Sequence, residues 1–207
     1  MLGLLRLLFG TKTPPRLQEN PDLVWMTEAG KYAGIRAKVE EAGQGDAAAI
    51  LIVSHFDNTF AQIDRLLANY NGPVPAKAVK ANDLSQRTTT GSPFEETSTI
   101  EVIFAERHPL LEEDEGAVKE FADQLPCRCR VTHCVSFEDA IMRSFVDSFV
   151  ENVMSKMGMK EDEAIESSLV SRRIRAVQEQ NSKNVVSRHK ANSAQEWIDK
   201  NVRQNRD

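Results

Sequence analysis

The chain has 207 residues, 41% of them hydrophobic and 28% charged, with a formal net charge of -5. That balance excludes wholesale disorder and suits one domain with an appendage. The acidic balance argues against a nucleic-acid partner, which needs a concentrated basic face. No stretch approaches the ~20 consecutive apolar residues of a membrane-spanning helix.

Residues 1–10 read MLGLLRLLFG, with Arg6 as their one charge. The run is too short for a secretion signal and no small-residue cleavage site follows it. It reads instead as an amphipathic segment. Leu4, Leu5, Leu8 and Phe9 are its candidate contacts with a membrane surface or a protein partner, and packing on its own domain explains it equally well. Pro14 and Pro15 break any helix, so residues 1–21 form a segment and linker.

A helix is expected from Asp22 to about Ala42, with Thr27 as N-cap and Glu28 in the first turn. Ala47–Ser54 (AAAILIVS) is an unbroken apolar run between turn signals, the pattern of a strand buried on both faces of a parallel sheet. His55 and Asp57 then fall where α/β proteins place their sites. No G-x-S-x-G elbow accompanies them, and a helix capped by Asn58 or Thr59 and running to about Tyr70 accounts for the turn.

Val74–Lys80 is expected as an outer strand and residues 81–98 as a polar surface loop. Thr99–Ala105 (TIEVIFA) is a second buried strand, Glu112–Leu125 a helix and Cys127–Val135 a third strand. Strands alternating with helices give right-handed βαβ units. Phe137–Met157 is expected to be one helix, stopped by Gly158. From Glu166 to about Arg206 there is neither Gly nor Pro. One long helix or two packed ones are expected there, protruding from the sheet domain. The apolar stripe of Val170, Ile174 and Val177 must bury against the sheet domain or an oligomer partner. The expected division is 1–21, an α/β domain over 22–157, and a helical extension over 158–207.

Cys127, Cys129, His133 and Cys134 are metal-ligand types packed close together. One extended strand sends Cys127, Cys129 and His133 to one face and Cys134 to the other, so the four do not converge on a tetrahedral ion. A metal site is therefore rejected. The odd count of three cysteines fits a reducing compartment.

Val135-Ser136-Phe137-Glu138-Asp139-Ala140-Ile141-Met142-Arg143-Ser144-Phe145 resembles the strand-to-helix junction that ends the second motor domain of SecA, the bacterial preprotein-translocase ATPase. Met154–Met159, the acidic Lys160–Glu166, Val170-Ser171-Arg172 and Ile174–Gln178 are similar, in register, to that family's lead into its scaffold helix. Val102–His108, Val24–Lys31 and the first ten residues resemble other parts of the family more loosely. The resemblance implies a RecA-like parallel sheet flanked by helices, with a long helical C-terminal extension.

Two departures bear on activity. No G-x-x-x-x-G-K-[ST] phosphate loop occurs, and Gly30-Lys31 is followed by Tyr32 inside a helical pattern. Where the family carries an arginine-rich finger, this chain has Glu112, Glu113, Asp114 and Glu115. A self-sufficient ATPase is not expected, nor is a cofactor, ATP included. Glu106, Arg107 and His108 would line the remnant of a nucleotide cleft, although a structural ion pair explains them equally. The expected role is a binding or adaptor protein for the translocon, a motor subunit or preprotein, in the cytoplasm or at the inner face of the cytoplasmic membrane. Self-association is compatible with it. The alternative is a regulatory nucleotide module that completes an ATP site only with a partner subunit.

Overall fold

The computed structural model describes residues 16–88, 94–146, 160 and 163–203. Leu4, Leu5, Leu8 and Phe9, the expected membrane or partner contacts, lie outside the described residues.

A 7-stranded sheet runs through the molecule in the order β4-β3-β5-β6-β2-β7, with β1 also pairing β6. The strands are β1 (Leu17–Glu19), β2 (Leu23–Trp25), β3 (Ala47–Ser54), β4 (Ala76–Lys80), β5 (Thr99–Phe104), β6 (Arg128–Ser136) and β7 (Ile165–Glu166). Every pairing is parallel except β2 with β7. The α/β architecture expected from the sequence, a mostly parallel sheet flanked by helices, is what forms, and it is consistent with a RecA-like fold.

Alternation along the central strands builds two cores. Leu51, Val53, Val102 and Phe104 face α3 (Leu111–Gln124) and pack with its Val118 and Phe121. Ile50, Ile52 and Ile103 face the other way, toward α1 (Glu28–Gln44) and α2 (Asp57–Leu67), and meet Ile35, Val39 and Ile63. Burying a side chain of this size contributes about 1.5–3 kcal/mol, which is why β3 and β5 carry no polar residue mid-strand except Glu101.

Thr27 caps α1 as expected, its Oγ1 accepting the Gly30 N–H at 3.0 Å. The helix does not begin at Asp22, because Leu23–Trp25 extends along β6 and sends Trp25 under α1. The close approach requires Gly34. A Cβ built there would lie 2.2 Å from Cζ2 of Trp25. Gly34→Ala is expected to destabilise by about 1–3 kcal/mol despite alanine's better helix propensity. A urea titration showing a stabilised variant would contradict this packing.

Two further expectations are corrected. Within 137–146 only α4 (Ala140–Arg143) is helical, because the Ser136 N–H and Oγ–H both donate to the Asp139 carboxylate (3.1 and 2.8 Å) and hold a turn. Residues 147–157 of that call lie outside the described residues. Among the described residues the C-terminal part forms two helices, the second of the expected alternatives, but they do not protrude. Instead α5 (Ser168–Asn184) lies against the sheet domain, Ile174 packing with Val24, Val135 and Met142. Gln178 donates to the His108 carbonyl at 2.8 Å and Asn181 to that of Pro109 at 3.1 Å. The helix ends at the extended Val185, and a second helix, α6 (Ala194–Asn201), covers Phe56 and Leu110 with Trp197.

Candidate functional site

The carboxyl edge of the parallel strands, where α/β sheets present ligands, is the most polar buried region described. Its centre is Glu106-Arg107-His108, immediately after β5.

Glu106 is consumed by the start of α2. One carboxylate oxygen accepts the backbone N–H groups of His55 and Phe56, both at 3.0 Å, and the other accepts the Thr59 hydroxyl at 2.7 Å. The α2 N-cap is Phe56, which has no side-chain cap of its own, so the expected capping by Asn58 or Thr59 is replaced by a carboxylate just after β5. Burial raises the Glu106 carboxyl above its ordinary range, against the pull of its donors.

Arg107 bridges two buried aspartates. Its Nε and Nη2 both reach Asp22 Oδ1 at 2.8 Å, and Nη1 reaches Asp114 Oδ2 at 3.0 Å. Asp114 belongs to the acidic first turn of α3 and, like Glu106, accepts three hydrogen bonds at this edge. The His108 N–H (2.8 Å) and Gln178 Nε2 (2.8 Å) also donate to it. His55 Nε2 lies 2.9 Å away but off the line of a hydrogen bond. Burial alone would raise the Asp114 carboxyl, but Arg107 and His55 outweigh it and hold the group well below the carboxylate range. Burial likewise lowers Arg107, and the paired aspartates reverse this to a net rise.

His108 is a wall rather than a ligand. Its ring stacks on Phe56 with centroids 5.4 Å apart and meets Trp197 edge-on at 5.1 Å, while Nδ1 accepts the Leu110 N–H at 3.0 Å. Burial, with His55 beside it, pushes the ring down to about 3 and keeps it neutral. His133 on β6 stacks on Phe104 at 4.7 Å, with Nε2 unpartnered and burial holding it well below its usual value.

Beside this network lies a cleft of about 450 Å³, into which the first turns of α1, α2, α4 and α6 converge. Helix N-termini and the cations Lys31, Arg65, Arg107 and Arg143 would suit an anion there. The chain fills two of those N-termini itself. Glu106 occupies that of α2, and the Glu138 carboxylate accepts the Glu28 N–H, at the start of α1, at 2.7 Å. Lys31 is 2% exposed and is held by Asp139 at 2.7 Å. Burial lowers Lys31, but Asp139 outweighs it and leaves the amine raised and charged.

The cysteines on and just before β6 go to two different cores. Cys127 and Cys129 pack beneath α3 and Cys134 beneath α1. Burial pushes the Cys129 and Cys134 thiols up to about 12, as expected of thiols packed in a core. Glu106, Arg107 and His108 are legible in the sequence as a candidate site, but not the roles of Asp22, Asp114 and Gln178, which satisfy Arg107 and the His108 backbone. Only the acidic run at 112–115 hinted that a carboxylate would meet Arg107.

No protein-family model matches the chain. It is 26% identical over 198 residues to protein translocase subunit SecA of Clostridium beijerinckii, a match covering 85% of this chain and 23% of that protein. SecA of Clostridium botulinum (strain Eklund 17B) is 27% identical over 201 residues, covering 85% of this chain and 24% of its own length. SecA 1 of Rhodopirellula baltica is 61% identical over 44 residues, 21% of this chain and 4% of the relative. The chain is a relative of SecA. It spans about a quarter of the length of the SecA proteins that it matches over most of its own sequence. Among the described residues, no helix of this SecA relative is long and apolar enough to cross a membrane.

Proposed function

We propose that this SecA relative is a non-catalytic binding module that docks onto a component of a protein-translocation assembly. The carrying observation is the internal neutralisation of the sheet edge. Arg107, the cation best placed for a phosphate, is bridged between Asp22 and Asp114. Transferring phosphate needs unengaged cations or backbone donors that strengthen as charge develops. At this edge carboxylates already hold Arg107 and Lys31 and the N-termini of α1 and α2. The relatives matched over most of the chain are named translocase subunits, which supports an assembly as its setting.

Flotation with inverted cytoplasmic-membrane vesicles tests this reading, run with and without ATP and with vesicles stripped of exposed protein by protease. Floating with intact vesicles, independently of ATP and lost on stripping, is the expected result. Equal floating on stripped vesicles would point to lipid, and no floating at all would remove the translocation setting. Dependence on ATP would favour the regulatory nucleotide reading, for which the cleft beside Lys31 is the supporting observation.

A further inference from the structure

Residues 185–203 close on themselves. Val185 and Val202 form an antiparallel bridge, the Val186 N–H donates to the Asn201 carbonyl at 2.8 Å, and the Arg203 N–H donates to that of Asn184 at 2.9 Å. Asn201, fully buried, is the hub of the loop. Its Oδ1 accepts the His189 N–H (2.6 Å) and the Ser187 hydroxyl (3.0 Å), and its Nδ2 donates to the carbonyls of His189 and Trp197, both at 2.9 Å. Ser193 caps α6, and Glu196 accepts the Asn192 N–H at 2.7 Å. Backbone groups satisfied inside a segment stay satisfied when it moves as a body.

Its attachments to the sheet domain are chiefly of another kind. Trp197 plugs a slot formed by Phe56, His108 and Leu110. The Asn58 N–H donates to the Asn192 carbonyl at 3.0 Å. Arg188 pairs with Glu112 and Glu113 at 2.8 and 2.9 Å, all three side chains exposed, and such pairs hold weakly. The segment also forms one wall of the cleft through Ser193, Ala194 and Gln195.

We propose that residues 185–203 are a lid that swings as one body about Asn184 and Arg203, withdrawing Trp197 and opening the carboxyl-edge cleft. The lid does not depend on which ligand or partner the cleft receives, and its failure would leave the proposed docking role untouched. A self-closed loop seated on one small apolar cluster centred on Trp197 opens at far less cost than the buried strands, and that difference is measurable as hydrogen exchange.

Residue-resolved amide exchange on the intact protein tests this. Asn58, bonded across the closure, is expected to exchange at least about 100-fold faster than Ala105, whose N–H is bonded to the Val53 carbonyl. Val186 and His189, bonded within the lid, should exchange more slowly than Asn58. Exchange of Asn58 at the Ala105 rate would overturn the lid, since opening would then be global unfolding. Exchange of Val186 and His189 at or above the Asn58 rate would also overturn it, since the segment would be fraying. Trp197→Phe is expected to accelerate Asn58 about 10-fold with Ala105 unchanged; no acceleration would overturn the plug.

Discussion

Asp114→Asn is expected to cost about 3–5 kcal/mol of folding stability, the scale of breaking a buried ion pair from one side. Asp114 is fully buried and accepts from Arg107, Gln178 and the His108 backbone while His55 stands beside it. The amide keeps the shape but removes the charge and turns one acceptor into a donor facing other donors. Arg107 would then remain buried with Asp22 alone. Domains of this size are stable by about 5–15 kcal/mol, so the variant should lose much of its reserve. Glu113→Ala, four-tenths exposed and paired with Arg188, is the control and should cost less than about 1 kcal/mol. Equal urea midpoints for the two variants would show that Asp114 is no hub.

Acidification should destabilise the protein well above the carboxylate range. His108 and His133 are kept neutral by burial, His108 down to about 3 from an ordinary value of 6.5. Below 6.5 the unfolded chain takes up protons at these positions and the folded chain does not. Their contribution is therefore complete above 6.5 and is lost as pH falls through and below that value. Two such histidines give a loss of up to about 3 kcal/mol between pH 6.5 and 5. Glu106 works in the opposite sense, because burial raises its carboxyl and the folded state binds that proton more tightly. His133→Phe keeps a ring on Phe104 and removes one titration, so the slope should fall by about half. Stability that is flat or rising from pH 6.5 to 5 would contradict buried neutral histidines.

The parts legible in the sequence are those whose physics is local. The run Ala47–Ser54 announces a strand buried on both faces, because any polar residue there would meet apolar neighbours on either side. Thr27 announces a helix start, because its hydroxyl reaches an N–H three residues on. The three residues Leu23–Trp25 form a strand because β6 and Gly34 await them far along the chain, which local periodicity does not carry. The helix expected from Phe137 gives way for a local reason instead, because the Asp139 carboxylate folds back on Ser136 three residues earlier and holds a turn.

The candidate site was half visible. Glu106, Arg107 and His108 stand out at a strand end, but Glu106 is met by the start of α2, and the partners of Arg107 and of the His108 backbone come from Asp22, Asp114 and Gln178. Gln178 sits on a helix whose charged surface suggested a protruding rod, and Ile174 and Gln178 turn out to be its buried face. Nothing within a turn of Gln178 signals a buried amide at the sheet edge. Only the fold brings it to Asp114.

The most direct measurement is thermal unfolding of the intact protein with increasing Mg-ATP or Mg-ADP. With Arg107 and Lys31 held by internal carboxylates, the expected result is no shift with either nucleotide. A saturable rise in Tm, equivalent to about 2.7 kcal/mol at a ligand excess of 100 times Kd, would show that the cleft still holds nucleotide and contradict the account.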